Sequence, residues 1–354
     1  MKNKIKITLH PFSYLNFSEK TNAIFLLTFL ACHVFMLFIT KSWANLFVIL
    51  AAVAATLLAE VFEKTYGKRK DSYSFLNSII QGILAGLFLP SAFPIYAVFF
   101  TVFFVFVCSR YFIGSFADCW INLPCLSVCI CWILGTSLFP DWQLTHEIIF
   151  ARNPSLELIQ NGTFPMLALD SKITSFFNRT IFSLFGFSIP DGYISLFWDT
   201  GSLIPAFRFN FITLISSIVL ISMDIVKAMI PGLFLLTYGI LVFLGPYFFG
   251  FSGHGDLLLA FCTSGLLFSS IYLLQFAGTI PMSLLGKAFY AFFAGVLAYL
   301  IIGAGTSPAG AVFTVLLMNV LSLFIQHIEK IAEIKKVKKI LLERVKEFEE
   351  GTNA

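Results

Sequence analysis

Charge is what this chain has least of. Only 12% of its 354 residues are Asp, Glu, Lys or Arg, against 58% hydrophobic, and the mean hydropathy is +0.89. A water-soluble domain needs far more charge to cover its surface, so composition excludes one and indicates an all-α integral membrane protein. Catalytic and metal-binding patterns are missing as well. There is no Gly-x-x-x-x-Gly-Lys-Ser/Thr loop for phosphates, no His-Glu-x-x-His pair, no Ser/His/Asp set in a suggestive context and no regular arginine ladder. The net charge of +4 gives no reason to expect a nucleic-acid partner. No catalytic residue and no metal ligand is assigned from these patterns.

Cysteine is present seven times, as Cys32, Cys108, Cys119, Cys125, Cys129, Cys131 and Cys262. Nearly all lie in or beside apolar runs. Cys125, Cys129 and Cys131 look clustered, but on a helix Cys131 points away from the other two. No His or carboxylate flanks them at metal-site spacing, so they read as small apolar residues. The 44 phenylalanines read as lipid-facing and interhelical filler.

What is abundant is the apolar run. Ten are separable, at about 23–39, 43–61, 75–89, 96–108, 123–138, 209–223, 230–244, 257–274, 288–302 and 311–325. Each suits one crossing of the bilayer. The one long interruption, residues 141–207, carries turn sequences such as Arg152-Asn153-Pro154 and Pro190-Asp191-Gly192 that do not belong in hydrocarbon. The expected organisation is an arm over 1–22, a first membrane half over 23–140, an external segment over 141–207, a second half over 208–327 and a charged tail over 328–354. No cleavage pattern marks the N-terminus, which is expected to stay in the cytoplasm. The loops that then fall inside hold Lys64, Lys68, Arg69, Lys70, Arg110, Lys227, Lys287 and the lysine-rich tail. Outside loops hold far fewer, as the positive-inside rule requires, so both termini are placed in the cytoplasm. Five spans on each side of an external crossing give about ten transmembrane helices in two inverted five-helix halves.

Polar residues inside such runs are costly and are therefore candidates for function. They include His33, Asn77, Gln81, Asn122, Gln275 and Asn319, with hydrogen bonding between helices as the competing reading. Gly82 and Gly86 form a small-xxx-small stripe that either lets two helices touch or leaves room for a flat ligand.

Three stretches carry a family resemblance. The sequence SYSFLNSIIQGILAGLFLPSAFP (Ser72–Pro94) is similar to the membrane subunit shared by two bacterial respiratory complexes, RnfD of the Rnf complex and NqrB of the sodium-translocating NADH:quinone reductase. CSRYFIGSFADCWINLP (Cys108–Pro124) resembles that family's basic-aromatic-glycine stretch, with Arg110, Gly114, Asn122 and Pro124 in recognisable places. Gly286-Lys287 to Tyr290 and Ser307 to Asn319 resemble its second-half signature, and Gly201-Ser202 and Pro231 fall where the family has a Gly-Ser and a Pro. The short N-terminal arm favours the RnfD type.

The resemblance implies an electron carrier in the bacterial inner membrane, assembled with other membrane and peripheral subunits and embedded in the lipid bilayer. It implies FMN joined through a phosphoester to a threonine of the external loop, and riboflavin among the helices. Glu157–Pro165 offers two registers. One places Thr163, beside Asn161 and Gly162, at the attachment position; the other places Phe164 there and has no attachment. Gly82, Gly86, Arg110 and Asn122 are the implied residues near the internal flavin. The resemblance further implies coupling of electron transfer to movement of Na⁺ or H⁺. Two alternatives stay open: a flavin-free scaffold subunit of such a complex, and a small-solute permease that rocks its two halves.

Overall fold

The computed structural model describes residues 18–66, 74–112, 120–140, 165–248, 254–275, 279–303 and 307–352. All regular elements among them are helical. The first half holds α1 (Glu19–Ile39), α2 (Trp43–Tyr66), α3 (Ser74–Leu87), α4 (Ile95–Phe112) and α5 (Leu123–Leu134). The connecting segment holds α6 (Asp170–Thr180) and α7 (Tyr193–Trp198). The second half holds α8 (Asn210–Ser222), α9 (Met229–Phe248), α10 (Leu257–Thr263), α11 (Leu266–Tyr272), α12 (Leu284–Ile302) and α13 (Gly310–Thr352).

The starts of these helices follow from side-chain chemistry. Ser18, Asn122, Asp256 and Ser283 each cap a helix by accepting from a backbone N–H three residues on, satisfying a donor that a helix cannot satisfy itself. Pro90 and Pro94 bracket the turn between α3 and α4, where proline cannot continue the first helix and suits the start of the second. Large apolar side chains such as Phe35, Phe47, Leu50, Phe104 and Leu300 are exposed, as lipid-facing positions should be. Others, including Phe88, Phe106, Phe234 and Phe268, are fully buried between helices.

Two features depart from ten uniform spans. Among the described residues five helices are long and apolar enough to cross a membrane, and 75–87, 95–109, 123–134 and 210–222 form shorter apolar helices. The run expected as a single span over 257–274 is broken into α10 and α11 at Ser264-Gly265, because Gly265 takes a left-handed φ of 69°. There the ring of Phe207 occupies the place a Cβ would need. The expected span over 311–325 and the tail that follows are one continuous helix, α13.

Hydrogen bonds sort the connections into two ends. At one end, Arg208 Nη1 donates to Ser42 Oγ in the α1–α2 turn at 2.9 Å. Ser91 N–H of the α3–α4 turn donates to the Leu203 carbonyl, and the Tyr193 hydroxyl donates to Asp256 at the start of α10. At the other end, Lys227 N–H donates to Gln275 Oε1 at 2.9 Å, and Gln275 Nε2 donates back to the Lys227 carbonyl at 3.1 Å. Glu329 of α13 accepts from Met282 N–H and Ser283 N–H just before α12. The chain therefore alternates between ends, with α10 and α11 together making one crossing. Helices at matching places in the two halves, α1 and α8 or α2 and α9, run in opposite senses. Packing recurs too. α2 lies against α3 and α4, while α9 lies against α10, α11 and α12; α4 packs on α5 as α12 packs on α13.

Candidate functional site

α5 has 12 residues, a length of about 18 Å, well short of the roughly 30 Å hydrocarbon thickness. Its N-terminus meets the C-terminal end of α11 from the other half inside the bundle. Helix ends expose unpaired backbone groups, and in lipid these must be satisfied by protein. Asn122, fully buried, does so on both sides. Its Oδ1 accepts from Cys125 N–H at 3.3 Å and its Nδ2 donates to the Leu273 carbonyl at 3.1 Å. Asn319 of α13 completes the junction: its amide oxygen accepts from the Asn122 N–H at 2.8 Å and its nitrogen donates to the Val315 carbonyl at 3.2 Å. The buried Tyr290 hydroxyl of α12 donates to the Leu274 carbonyl at 3.1 Å. Four helices from both halves thus converge on one polar junction.

His33 marks a second meeting point of the halves. It is buried on α1, its Nε2 lies 3.5 Å from Thr213 Oγ1 of α8, and its ring stands edge-on to Phe268 of α11 at 5.1 Å. His33 Nδ1 is buried without a hydrogen-bond partner. Glu60, near the C-terminal end of α2, is 2% exposed. It accepts from Ser78 Oγ at 3.1 Å and lies 3.6 Å from Lys64 Nζ. Asp224 and Lys227 form an exposed pair.

The connecting segment folds on a carboxylate that no sequence pattern points to. Asp170 is fully buried. Its Oδ1 accepts from Gly192 N–H at 2.8 Å and Thr174 Oγ1 at 3.2 Å; its Oδ2 accepts from Ser195 N–H at 2.7 Å and from Ser195 Oγ. Ser195 Oγ in turn accepts from Leu167 N–H at 3.0 Å. A bidentate pair between Arg208 and Asp199, at 2.8 and 2.5 Å, fixes the segment's exit. Pro165 lies against Gly201, where a Cβ would come within 3.1 Å of the proline ring. Gly201 belongs to the Gly-Ser pair that carries part of the family resemblance.

The residues expected near flavin distribute as follows. Thr163, Asn161 and Gly162 lie outside the described residues, two to four positions before Pro165. Arg110 lies in the last turn of α4. Gly82 and Gly86 face α2 at close range: a Cβ on either would stand 2.7 Å from the Cα of Val53 or Ile49. The α2 backbone fills the space above both, so the stripe works by close helix packing and leaves no slot for a flat ring there. An apolar groove of about 430 Å³ does open between α4 and α5, lined by Phe104, Cys108, Leu126 and Ile130 among others. Cys125, Cys129 and Cys131 are buried on α5. Among the described residues no three His, Cys, Asp or Glu side chains gather as a metal set.

Of the residues singled out in the sequence, the structure brings Asn122 and Asn319 together across the halves, and pairs Gln275 with Lys227. Sequence reasoning names Tyr290 only as part of a resembling stretch, without a role, and misses Asp170. A tyrosine in an apolar run reads as filler, and an aspartate in a loop reads as solvated. Among curated proteins, none is similar enough in sequence to count as a match. A family model does match, over residues 7–335, nearly the whole chain. This multi-pass all-α membrane protein therefore belongs to the NQR2, RnfD, RnfE family, the membrane subunits of Rnf- and Nqr-type complexes.

Proposed function

We propose that the chain is the RnfD-type membrane subunit of an ion-motive electron-transport complex in the bacterial inner membrane, passing electrons across the bilayer through flavin. The end holding residues 165–209 faces outward, and both termini lie in the cytoplasm. The observation that carries this reading is the family match over 7–335. The built external segment supports it: Asp170 and the Arg208–Asp199 pair hold Pro165 against Gly201, so the chain leaving the Thr163 region enters a fixed scaffold. FMN, when attached, supplies the one- and two-electron chemistry, while the protein supplies placement and exclusion of water. Thr163 Oγ1 is the attachment atom, with Asn161 and Gly162 beside it in sequence. Riboflavin, if bound among the helices, sits away from the Gly82–Gly86 stripe, whose space α2 takes. Coupling to Na⁺ or H⁺ movement belongs to the same proposal.

The intact mass of the purified chain tests the covalent flavin directly. An FMN adduct that disappears in Thr163→Ala, together with the yellow-green fluorescence of the denatured band, is the expected result. An unmodified mass in a chain that still copurifies with partner subunits would instead favour a flavin-free scaffold, a reading that the Phe164 register supports.

A further inference from the structure

The last helix does more than cross the membrane. Glu329 marks where α13 leaves the bundle, since it binds the Met282–Ser283 turn at that end. The helix then continues without a break to Thr352, reaching roughly 35 Å further at about 1.5 Å per residue. Every described side chain from Lys330 to Leu342 is exposed. Ile331, Ile334, Val337 and Leu341 repeat at three- and four-residue steps, and Val345 and Phe348 continue the pattern in sequence. Such spacing draws an apolar stripe down one side of the helix. A lone helix with an uncovered stripe is marginal in water and gains its stability from whatever packs on that face.

Charge along the extension narrows what that is. Lys330, Lys335, Lys336, Lys338 and Lys339 outweigh Glu333 and make its first half basic, while Glu343, Glu347, Glu349 and Glu350 outnumber Arg344 and Lys346 and leave its second half mildly acidic. Two copies in one bilayer share an orientation, so their extensions would run parallel and in register. Lysines would then flank lysines, the arrangement that disfavours pairing. The bilayer surface is a poor cover as well, because an unbroken helix carries the stripe away from the lipid plane instead of along it. We propose that the α13 extension is a docking arm for a different subunit of the same complex. That subunit presents a helix or groove with an apolar seam, acidic where it meets Lys335–Lys339 and basic where it meets the glutamates. The proposal rests on membership of a family that works in multi-subunit complexes and not on the flavin.

The test uses the complete co-expressed complex. Ile334→Asp with Leu341→Asp changes two exposed side chains, and a Lys-to-Glu reversal at positions 335, 336, 338 and 339 inverts the charge. Subunit composition by native mass spectrometry is expected to show one further subunit retained by the wild type. Both variants should weaken it, the apolar one by about a hundredfold. A spin label at Val337 should be immobilised in the complex and mobile in the isolated chain. The idea is overturned if both variants keep every subunit. It is equally overturned if the Val337 label contacts lipid-borne quenchers, or if the isolated chain gives short label-to-label distances between copies. Flavin content read from the same samples separates the two proposals, since loss of flavin with all docking effects intact removes only the electron-carrier reading.

Discussion

Among the described residues of the connecting segment, Asp170 gathers more hydrogen bonds than any other side chain. Its two oxygens take two backbone N–H groups and two hydroxyls. Asp170→Ala leaves the N–H groups of Gly192 and Ser195 unmatched, at about 1–3 kcal/mol each. Faster tryptic cleavage at Lys172 and Arg179, with the membrane helices still folded by circular dichroism, is the outcome that checks this. Glycines make the complementary prediction. Gly86→Ala drives a Cβ into the backbone of Ile49 and should lower stability in detergent by about 1–3 kcal/mol. Gly232, with nothing within 4 Å of an added Cβ, is the control: Gly232→Ala should be neutral or raise the thermal midpoint. Asn122 is legible in the sequence because an asparagine in an apolar setting is costly enough to need a reason. Asp170 is not, because its cost depends on burial, and burial in a loop leaves no periodic trace.

The element least visible in sequence is the break between α10 and α11. LLLAFCTSGLLFSSIYLL is mostly apolar, and Thr263-Ser264-Gly265 inside such a run does not announce whether it is kinked or straight. What decides is the third dimension: Phe207 occupies the space beside Gly265, and the left-handed φ turns the chain around it. Gly265→Ala meets both obstacles, a clash with the Phe207 ring and a strained backbone that costs about 1–2 kcal/mol by itself. A double-mutant cycle with Phe207→Ala separates them. The second substitution should recover the steric part of the loss in thermal stability and leave the backbone part; full recovery would show that φ carries no penalty. The long α13 is half legible. Its apolar portion reads as a span and its charged portion as a separate tail, since composition changes at Glu329 while helical periodicity does not.

Over the whole molecule, parity is the most readable property. Ten apolar runs and the bias of lysine and arginine toward alternate loops anticipate the two sets of connections that the hydrogen bonds join at opposite ends. In a cysteine-free background, an impermeant thiol reagent applied to sealed cells should label Phe185→Cys, which is 72% exposed in the wild type, and spare Lys335→Cys until the membrane is opened. The reverse pattern would invert the protein. The flavin region is less readable, because the loop before Pro165 allows two registers that composition does not separate. The ties at the end that holds residues 165–209 reach both halves at once: Arg208 to Ser42, Leu203 to Ser91 and Tyr193 to Asp256. Asn122 and Leu273 join the halves again deeper in the bundle. A body clamped at two depths resists the see-saw that solute carriers depend on. Such rigidity suits the proposed passage of electrons, since a charge hopping between fixed stations has no need of a hinge.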